Sequence, residues 1–315
     1  MERSLGVRLV VGAALVLAAS ALTGCRGVAE RVDREIELPA GLRLLAVDVE
    51  NFGGDVEIRA DRRDAGEPAL VRGKVTADWG VGEERREALA AETAIETELE
   101  YDESTGLGVL RVRSAGEWDA MEGPDPVGRG VSLYIEAPRV DGLRVVNSGG
   151  VVEAVGTGGA TFVNNRFGAI EVRTDRPIRH DVTLLTVDGN VYFQVPPGSA
   201  GVVDMEAVRG RSIFRDRAGG SSRVTATDTG LDGSSGLVAV VGAEPAGAEP
   251  GNRVVIRTTN GVLRAWIMED PIALARVWKS DPPDLRDYLF RDGSRRFTRN
   301  LPDDEPKRSG SGWDR

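Results

Sequence analysis

The sequence is nearly devoid of cysteine and histidine, with one of each, Cys25 and His180, in 315 residues. A disulfide framework and a Cys/His zinc cluster are thereby excluded. Ser-His and Cys-His nucleophile pairs would all have to pass through His180. That residue sits in the polar stretch Arg176-Pro177-Ile178-Arg179-His180-Asp181 and reads as a surface side chain. Positive charge is in deficit, with 40 Lys+Arg against 50 Asp+Glu and a net charge of −10. A nucleic-acid partner is excluded, because neutralising phosphates requires a basic face. Aromatic residues make up only 5 %, while glycine reaches 40 residues, so tight turns matter more than bulky packing. Hydrophobic residues, at 41 %, still suffice for a core in one elongated domain or two compact ones.

One apolar run stands out. Arg3 and Arg8 precede an uncharged stretch from Leu9 to Leu22. Its length matches the apolar region of a signal peptide and falls short of the roughly 20 residues that cross a bilayer. The run ends in Leu22-Thr23-Gly24-Cys25, which resembles the lipobox of bacterial lipoproteins. That resemblance implies cleavage before Cys25, a lipid on its thiol, and membrane anchoring by several acyl chains. Residues 1–24 are then a signal peptide and 25–38 an anchor with a short charged spacer. The mature chain has 291 residues and a net charge of about −11, because Glu2, Arg3 and Arg8 are lost. In a two-membrane envelope, Arg26 replaces the aspartate that retains lipoproteins at the inner membrane, which implies the outer one.

Past the spacer the chain reads as strands. Val47, Val49, Val56 and Ile58 alternate on either side of Asn51-Phe52-Gly53-Gly54. The phrase returns at Asn147-Ser148-Gly149-Gly150, Arg166-Phe167-Gly168, Val187-Asp188-Gly189, Val208-Arg209-Gly210 and Thr259-Asn260-Gly261. Gly54, Gly150, Gly168, Gly189, Gly210 and Gly261 are the expected structural turn positions. From Gly150 to Gly210 they are spaced by 18, 21 and 21 residues. A period near 20 predicts an all-β, single-stranded β-helix or β-solenoid over residues 39–268, because one coil cannot bury its apolar stripe alone. A twisted β-sandwich built from hairpins uses the same turns and remains the alternative. Glu83–Glu98, rich in Ala and Glu, predicts a short helical excursion, and Trp118–Gly130 a loop. Residues 269–315 form a polar tail, with a short helix over Pro271–Lys279 and disorder from Pro302 onward.

These residues carry a resemblance. Val47-Asp48-Val49-Glu50-Asn51-Phe52-Gly53-Gly54-Asp55-Val56-Glu57-Ile58 and Leu133-Tyr134-Ile135-Glu136-Ala137-Pro138 are similar to segments of the DUF4097 family of adhesin-type β-strand repeat proteins. So are the coils at 147–154, 165–172 and 186–193 and the phrase Val195-Pro196-Pro197-Gly198-Ser199-Ala200. The resemblance covers roughly residues 40–265. It implies an exported β-helix and supplies no catalytic residues. The chain departs from a plain repeat at 218–252, where Gly, Ser, Ala and Pro dilute one coil.

Candidate chemistry is sparse. Asp102/Glu103, Glu122/Asp125 and Asp303/Asp304 are adjacent carboxylates in polar segments, whereas acid–base work needs two held across a cleft. Asp228-Thr229-Gly230-Leu231-Asp232-Gly233 has Gly230 and Ala239 where a calcium loop needs an oxygen ligand and a glutamate. Gly156-Thr157-Gly158-Gly159 lacks a surrounding strand–helix unit and is no dinucleotide fingerprint. Arg173, Arg176 and Arg179 form a basic group that neighbouring acids would pair. Trp79, Trp118, Trp266, Trp278 and Trp313 are too scattered for the sugar platforms of a β-helix polysaccharide enzyme. No catalytic residue, metal or cofactor is therefore expected. The expectation is a lipid-anchored envelope protein with a binding or scaffold role, in contact with the membrane through Cys25 and with an envelope protein or glycan through its face. A periplasmic envelope-stress or regulatory partner and a polysaccharide-active enzyme are the alternatives.

Overall fold

A computed structural model of the chain describes residues 28–77, 84, 88, 93–115, 129–220, 222–227, 233–242 and 251–273. The architecture is all-β. Seventeen strands join in one sheet, and only Glu84, Ala88 and Ala273 are helical among the described residues. The first half of the chain supplies β1 (Val28–Ile36), β2 (Leu44–Asn51), β3 (Val56–Arg59), β4 (Ala69–Ala77), β5 (Ala94–Asp102), β6 (Leu107–Ala115), β7 (Arg129–Glu136), β8 (Gly142–Asn147) and β9 (Val152–Val155). The second half supplies β10 (Ala160–Phe167), β11 (Ile170–Arg173), β12 (Val182–Asp188), β13 (Val191–Val195), β14 (Gly201–Asp216), β15 (Arg223–Thr227), β16 (Ser235–Val241) and β17 (Arg253–Ile267).

Two parallel ladders run through this sheet. The first stacks β6, β2, β8, β10, β12, the first half of β17 and the first half of β14. The second stacks β7, β3, β9, β11, β13 and the second halves of β17 and β14. From β2/β3 onward, each strand of the first ladder turns at a glycine into its mate in the second, making one rung. The ladders face each other across a single apolar core. Val49, Val145, Val163, Leu184, Ile256 and Met205 come from one side, and Ile58, Ala154, Val172, Phe193 and Ala265 from the other. Period-2 alternation in the sequence is what aims these residues inward. Antiparallel strands finish both ends. β5 pairs with β6, and β4 with β7 and then β1, at one end. At the other, β16 pairs with β14 and β15 with β16.

The structure differs from the sequence reading in four places. The rungs do not stack in chain order: β17 lies between β12/β13 and β14, so the glycine that follows Gly189 in space is Gly261, not Gly210. A repeat period reports the length of a rung and carries no information on which rungs touch. Residues 94–98 of the expected helix belong to β5. There Ile95, Thr97, Leu99 and Tyr101 alternate with exposed Glu96, Glu98, Glu100 and Asp102, and packing on β6 overrides helix propensity. The stretch taken as a spacer contains β1, paired along its length with β4. In 218–252, the hairpin β15–β16 stands where a diluted coil was expected. Residues 118–128, 274–279 and 302–315, and with them most of the loop, short-helix and tail expectations, lie outside the described residues.

Candidate functional site

The corner between the ladders is built by a column of glycines. A Cβ on Gly150 would sit closer than 3 Å to the backbone of Gly54. The same holds for Gly168 on Gly150, Gly189 on Gly168, Gly261 on Gly189 and Gly210 on Gly261. The six glycines singled out in the sequence thus stack on one another. Gly54, Gly150 and Gly168 also take left-handed φ values of 95°, 91° and 117°. Gly189 does not, so at that position the requirement is close approach alone.

Three residues before five of the six glycines stands a second column, buried and polar: Asn51, Asn147, Asn165, Thr186 and Thr258; before Gly210 the position is Ala207. Asn51 Nδ2 donates to Asn147 Oδ1 at 3.0 Å, and Asn147 Nδ2 to Asn165 Oδ1 at 3.1 Å. Ser114 Oγ donates to Asn51 Oδ1 at 2.7 Å. Thr186 and Thr258 donate to the carbonyls of Gly168 and Gly189 at 3.2 and 3.1 Å. Each buried amide or hydroxyl thereby finds partners in the rung above or below.

Three residues after each glycine, on the outer side of the second ladder, stand Glu57, Glu153, Glu171, Tyr192, Arg264 and, after Gly210, Ile213 in register. The three glutamates are 4 %, 3 % and 1 % exposed. Two guanidiniums answer them: Arg59 Nε donates to Glu57 at 2.5 Å, and Arg173 reaches Glu171 at 2.5 Å and Glu153 at 3.1 Å. Glu57 Oε2, Glu153 Oε2 and Glu171 Oε1 are buried without a hydrogen-bond partner among the described residues. Burial pushes the carboxyls of Glu57 and Glu171 up to about 7, with Arg59 and Arg173 pulling back and Glu153 adding repulsion. Burial likewise raises the Tyr134 phenol, which donates to Glu136 and accepts from Arg62 at 2.8 Å. This is a row of carboxylates on adjacent rungs flanked by arginines, the composition a polysaccharide-active site would use. The row is buried, however, and Glu57 and Glu171 hold their protons above the usual carboxylate range.

Sequence reasoning missed this row. Alternation assigned Glu57, Glu153 and Glu171 to solvent. Aligning the repeats on their glycines places all three at one offset, and that signal would have found them.

The outer side of the first ladder is different: it faces solvent. Parallel sheets are normally covered on both faces, so a run of seven parallel strands with one open face is a distinctive surface. Toward one end, Arg144 donates to Asp48 and Glu50 at 2.6 and 2.7 Å, and Arg113 lies 3.5 Å from Glu50. Toward the other, Arg257 pairs with Asp204 and Glu206 at 2.8 and 3.4 Å, and Arg253 with Asp204. Between these clusters lies an uncharged strip carrying Val146, Phe162, Asn164, Thr183, Leu185 and Val255. Phe162 on β10 is 37 % exposed, and Val187 on β12, two residues beyond Leu185, is 45 % exposed. At about 4.8 Å per strand the strip is roughly 15–20 Å wide.

Cys25 and the lipobox residues Leu22, Thr23 and Gly24 lie outside the described residues, as do Trp79, Trp118, Trp278 and Trp313. Among the residues of the weaker candidates, Arg173 and Arg176 are engaged by acids, Arg176 with Asp141 at 3.1 Å. His180 is exposed and offers its backbone carbonyl to Asn252. The Asp102 carboxylate accepts from Ser104 and Thr105 in a tight turn, hydrogen bonds that hold it below the usual range. Trp266 is buried under the Arg217 guanidinium, 4.5 Å from its ring centre. No group of three or more metal-ligating side chains occurs among the described residues.

No family model matches the chain, and no curated protein matches it. Two solved structures do. One is a proposed cell adhesion protein from Clostridium sporogenes, at a TM-score of 0.50 and 10 % identity, covering 76 % of this chain and 99 % of that one. The other is a proposed adhesin from Bacteroides fragilis, at a TM-score of 0.30 and 10 % identity, covering 75 % and 97 %. At such identity the first likeness is one of fold.

Proposed function

We propose that this chain is a lipid-anchored, exported β-solenoid of the DUF4097 type with an adhesin-like binding or scaffold role in the cell envelope and no enzymatic activity. The observation that carries this reading is the open face of the first ladder, a flat, rigid parallel sheet with an uncharged strip between two ion-pair clusters. A stack of rungs holds such a face without a hinge and presents it over its whole length, which suits contact with an extended protein or glycan. The fold likeness to a proposed cell adhesion protein supports the same reading. Cys25 would hold the chain to the membrane, the outer one in a two-membrane envelope. The burial of Glu57, Glu153 and Glu171 argues against the enzyme alternative, because no substrate reaches them.

The test joins location to binding. Intact cells carrying the wild type are fractionated and shaved with protease, beside cells carrying Cys25→Ser. The expected result is a membrane-bound, shaved wild type and an unprocessed, unlipidated variant. Displayed wild type is then compared with Phe162→Asp/Leu185→Asp for binding to a panel of glycans and envelope proteins, with loss expected in the variant. Normal membrane retention of Cys25→Ser would defeat the anchor. A membrane-bound but protected wild type would favour the periplasmic regulatory reading, and equal binding by the two proteins would remove the strip from the mechanism.

A further inference from the structure

Among the described residues, the strands that end the stack have no further strand partner, and they carry opposite charge. At one end β5 pairs only with β6 among the described residues, leaving its far edge without a strand partner. Its outward side chains are Glu96, Glu98, Glu100 and Asp102, all exposed. Glu96 and Glu98 make no ion pair among the described residues, and Glu100 meets Arg111. At the other end β15 pairs only with β16, and all five of its residues are exposed. There the exposed cations are Arg209, Arg211, Arg215 and Arg223, none in an ion pair among the described residues. The acids on β14 itself are occupied: Asp204 and Glu206 by Arg253 and Arg257, and Asp216 by the N–H groups of Ala218 and Gly220.

Strand edges that face solvent are templates for another strand, and charge is the usual guard against indiscriminate pairing. Here the guards on the two ends differ in sign. Acid meets acid if two copies approach by their β5 edges, and arginine meets arginine if they approach by their β15 edges. Only the head-to-tail approach brings opposite charges together. Strand directions agree with it. β15 runs parallel to the stack and β5 antiparallel to it, so β15 of one copy against β5 of the next forms an antiparallel pair. In that pair Val224, 49 % exposed at the end of the inner apolar row, and Ala226 continue the side of the sheet that carries Leu99 and Tyr101. Arg223 falls on the outer side with the glutamates. β1 begins beside the glycine corner, since Val28 pairs with Thr76, Thr76 with Gly130, and Gly130 abuts Gly53. The described chain thus begins at the corner of the end that β1 and β5 share.

We propose that copies of this chain associate head to tail, the Arg211/Arg223 end of one on the Glu96/Glu98 end of the next. Such a contact is heterologous, so it propagates into an open row of subunits instead of closing as a dimer. It would align the open faces of successive copies into one longer surface. The proposal concerns contacts between copies and stands apart from what the face binds.

The test is sedimentation velocity of the purified full chain over a concentration series at low and high salt. The expected result is a mass that grows with concentration at low salt and falls back toward monomer at high salt, because the contact is screened. Glu96→Lys/Glu98→Lys makes both ends basic, and Arg209→Glu/Arg211→Glu/Arg215→Glu/Arg223→Glu makes both acidic. Each variant alone should remain monomeric, and an equimolar mixture of the two should associate again. That rescue shows both variants to be folded. A wild type that stays monomeric at low salt overturns the proposal, as does a variant that associates alone as the wild type does, or a mixture that stays monomeric.

Discussion

Raising the pH from about 5 to about 8 should destabilise this protein, and the cause is the buried glutamate row. Glu57 and Glu171 titrate at about 7 in the folded chain, against an ordinary value of 4.5. In the unfolded chain both carboxyls lose their protons just above 4.5, while in the folded chain they keep them until about 7. Between those values the folded state binds more protons, so stability is highest at the acid end and falls as pH rises. A gap of this size corresponds to on the order of 3 kcal/mol for one retained proton. Repulsion from Glu153, which lies between the two, helps to hold both values up.

Groups with the opposite sign stay out of this window. For Asp204, burial is outweighed by hydrogen bonds from Arg257 and Arg253, and its carboxyl is held below the usual 3.8. Its contribution is therefore complete above that value and is lost only in stronger acid. The assay is urea unfolding, followed by far-UV circular dichroism, of the wild type and of Glu57→Gln/Glu171→Gln across the pH range. The wild type should lose stability toward pH 8 with an unchanged urea slope, and the double variant should show a much flatter profile. A wild type equally stable or more stable at the alkaline end would refute the reasoning, as would a double variant that declines as steeply.

Two further predictions concern the corner. Gly189→Ala should lower stability by about 2–4 kcal/mol, because its Cβ overlaps the Gly168 backbone, whereas Gly251→Ala, with open space around it, should change it by less than about 0.5 kcal/mol. Thermal unfolding of the pair checks this, and equal midpoints would contradict the column. Asn147→Ala leaves Asn51 and Asn165 without their amide partner and should cost about 2–4 kcal/mol, measured by urea unfolding. A loss no larger than that of an exposed Asn164→Ala control would show that the polar column contributes little.

The glycine corner was legible because its requirement is local: a turn without a Cβ leaves Gly in the sequence at every rung. Strand content was legible for the same reason, through alternation at Val47, Val49, Val56 and Ile58. β5 shows the limit. Ala and Glu speak for a helix one residue at a time, and only the strict alternation of Ile95, Leu99 and Tyr101 with acids speaks for a strand. Non-local facts were not legible at all. The glutamate row depends on which face of the second ladder is covered. The charge on the two ends depends on which strands are last in the stack, and that order is not the order of the chain.

That order has a consequence for how the molecule comes into being. Rungs β8/β9, β10/β11 and β12/β13 follow one another in sequence and in space, so each docks on its predecessor as soon as it is synthesised. β14 follows β13 along the chain and has no place to dock, because its parallel partner β17 has not yet been made. Until residue 267 is available, the growing end of the core, with Leu184 and Phe193, has no rung above it, and Gly201–Asp216 waits beside it. When β17 arrives it must enter between two segments already present. The slow, long-range step of folding therefore waits for the last described strand, and until then exposed apolar edges are most open to wrong partners.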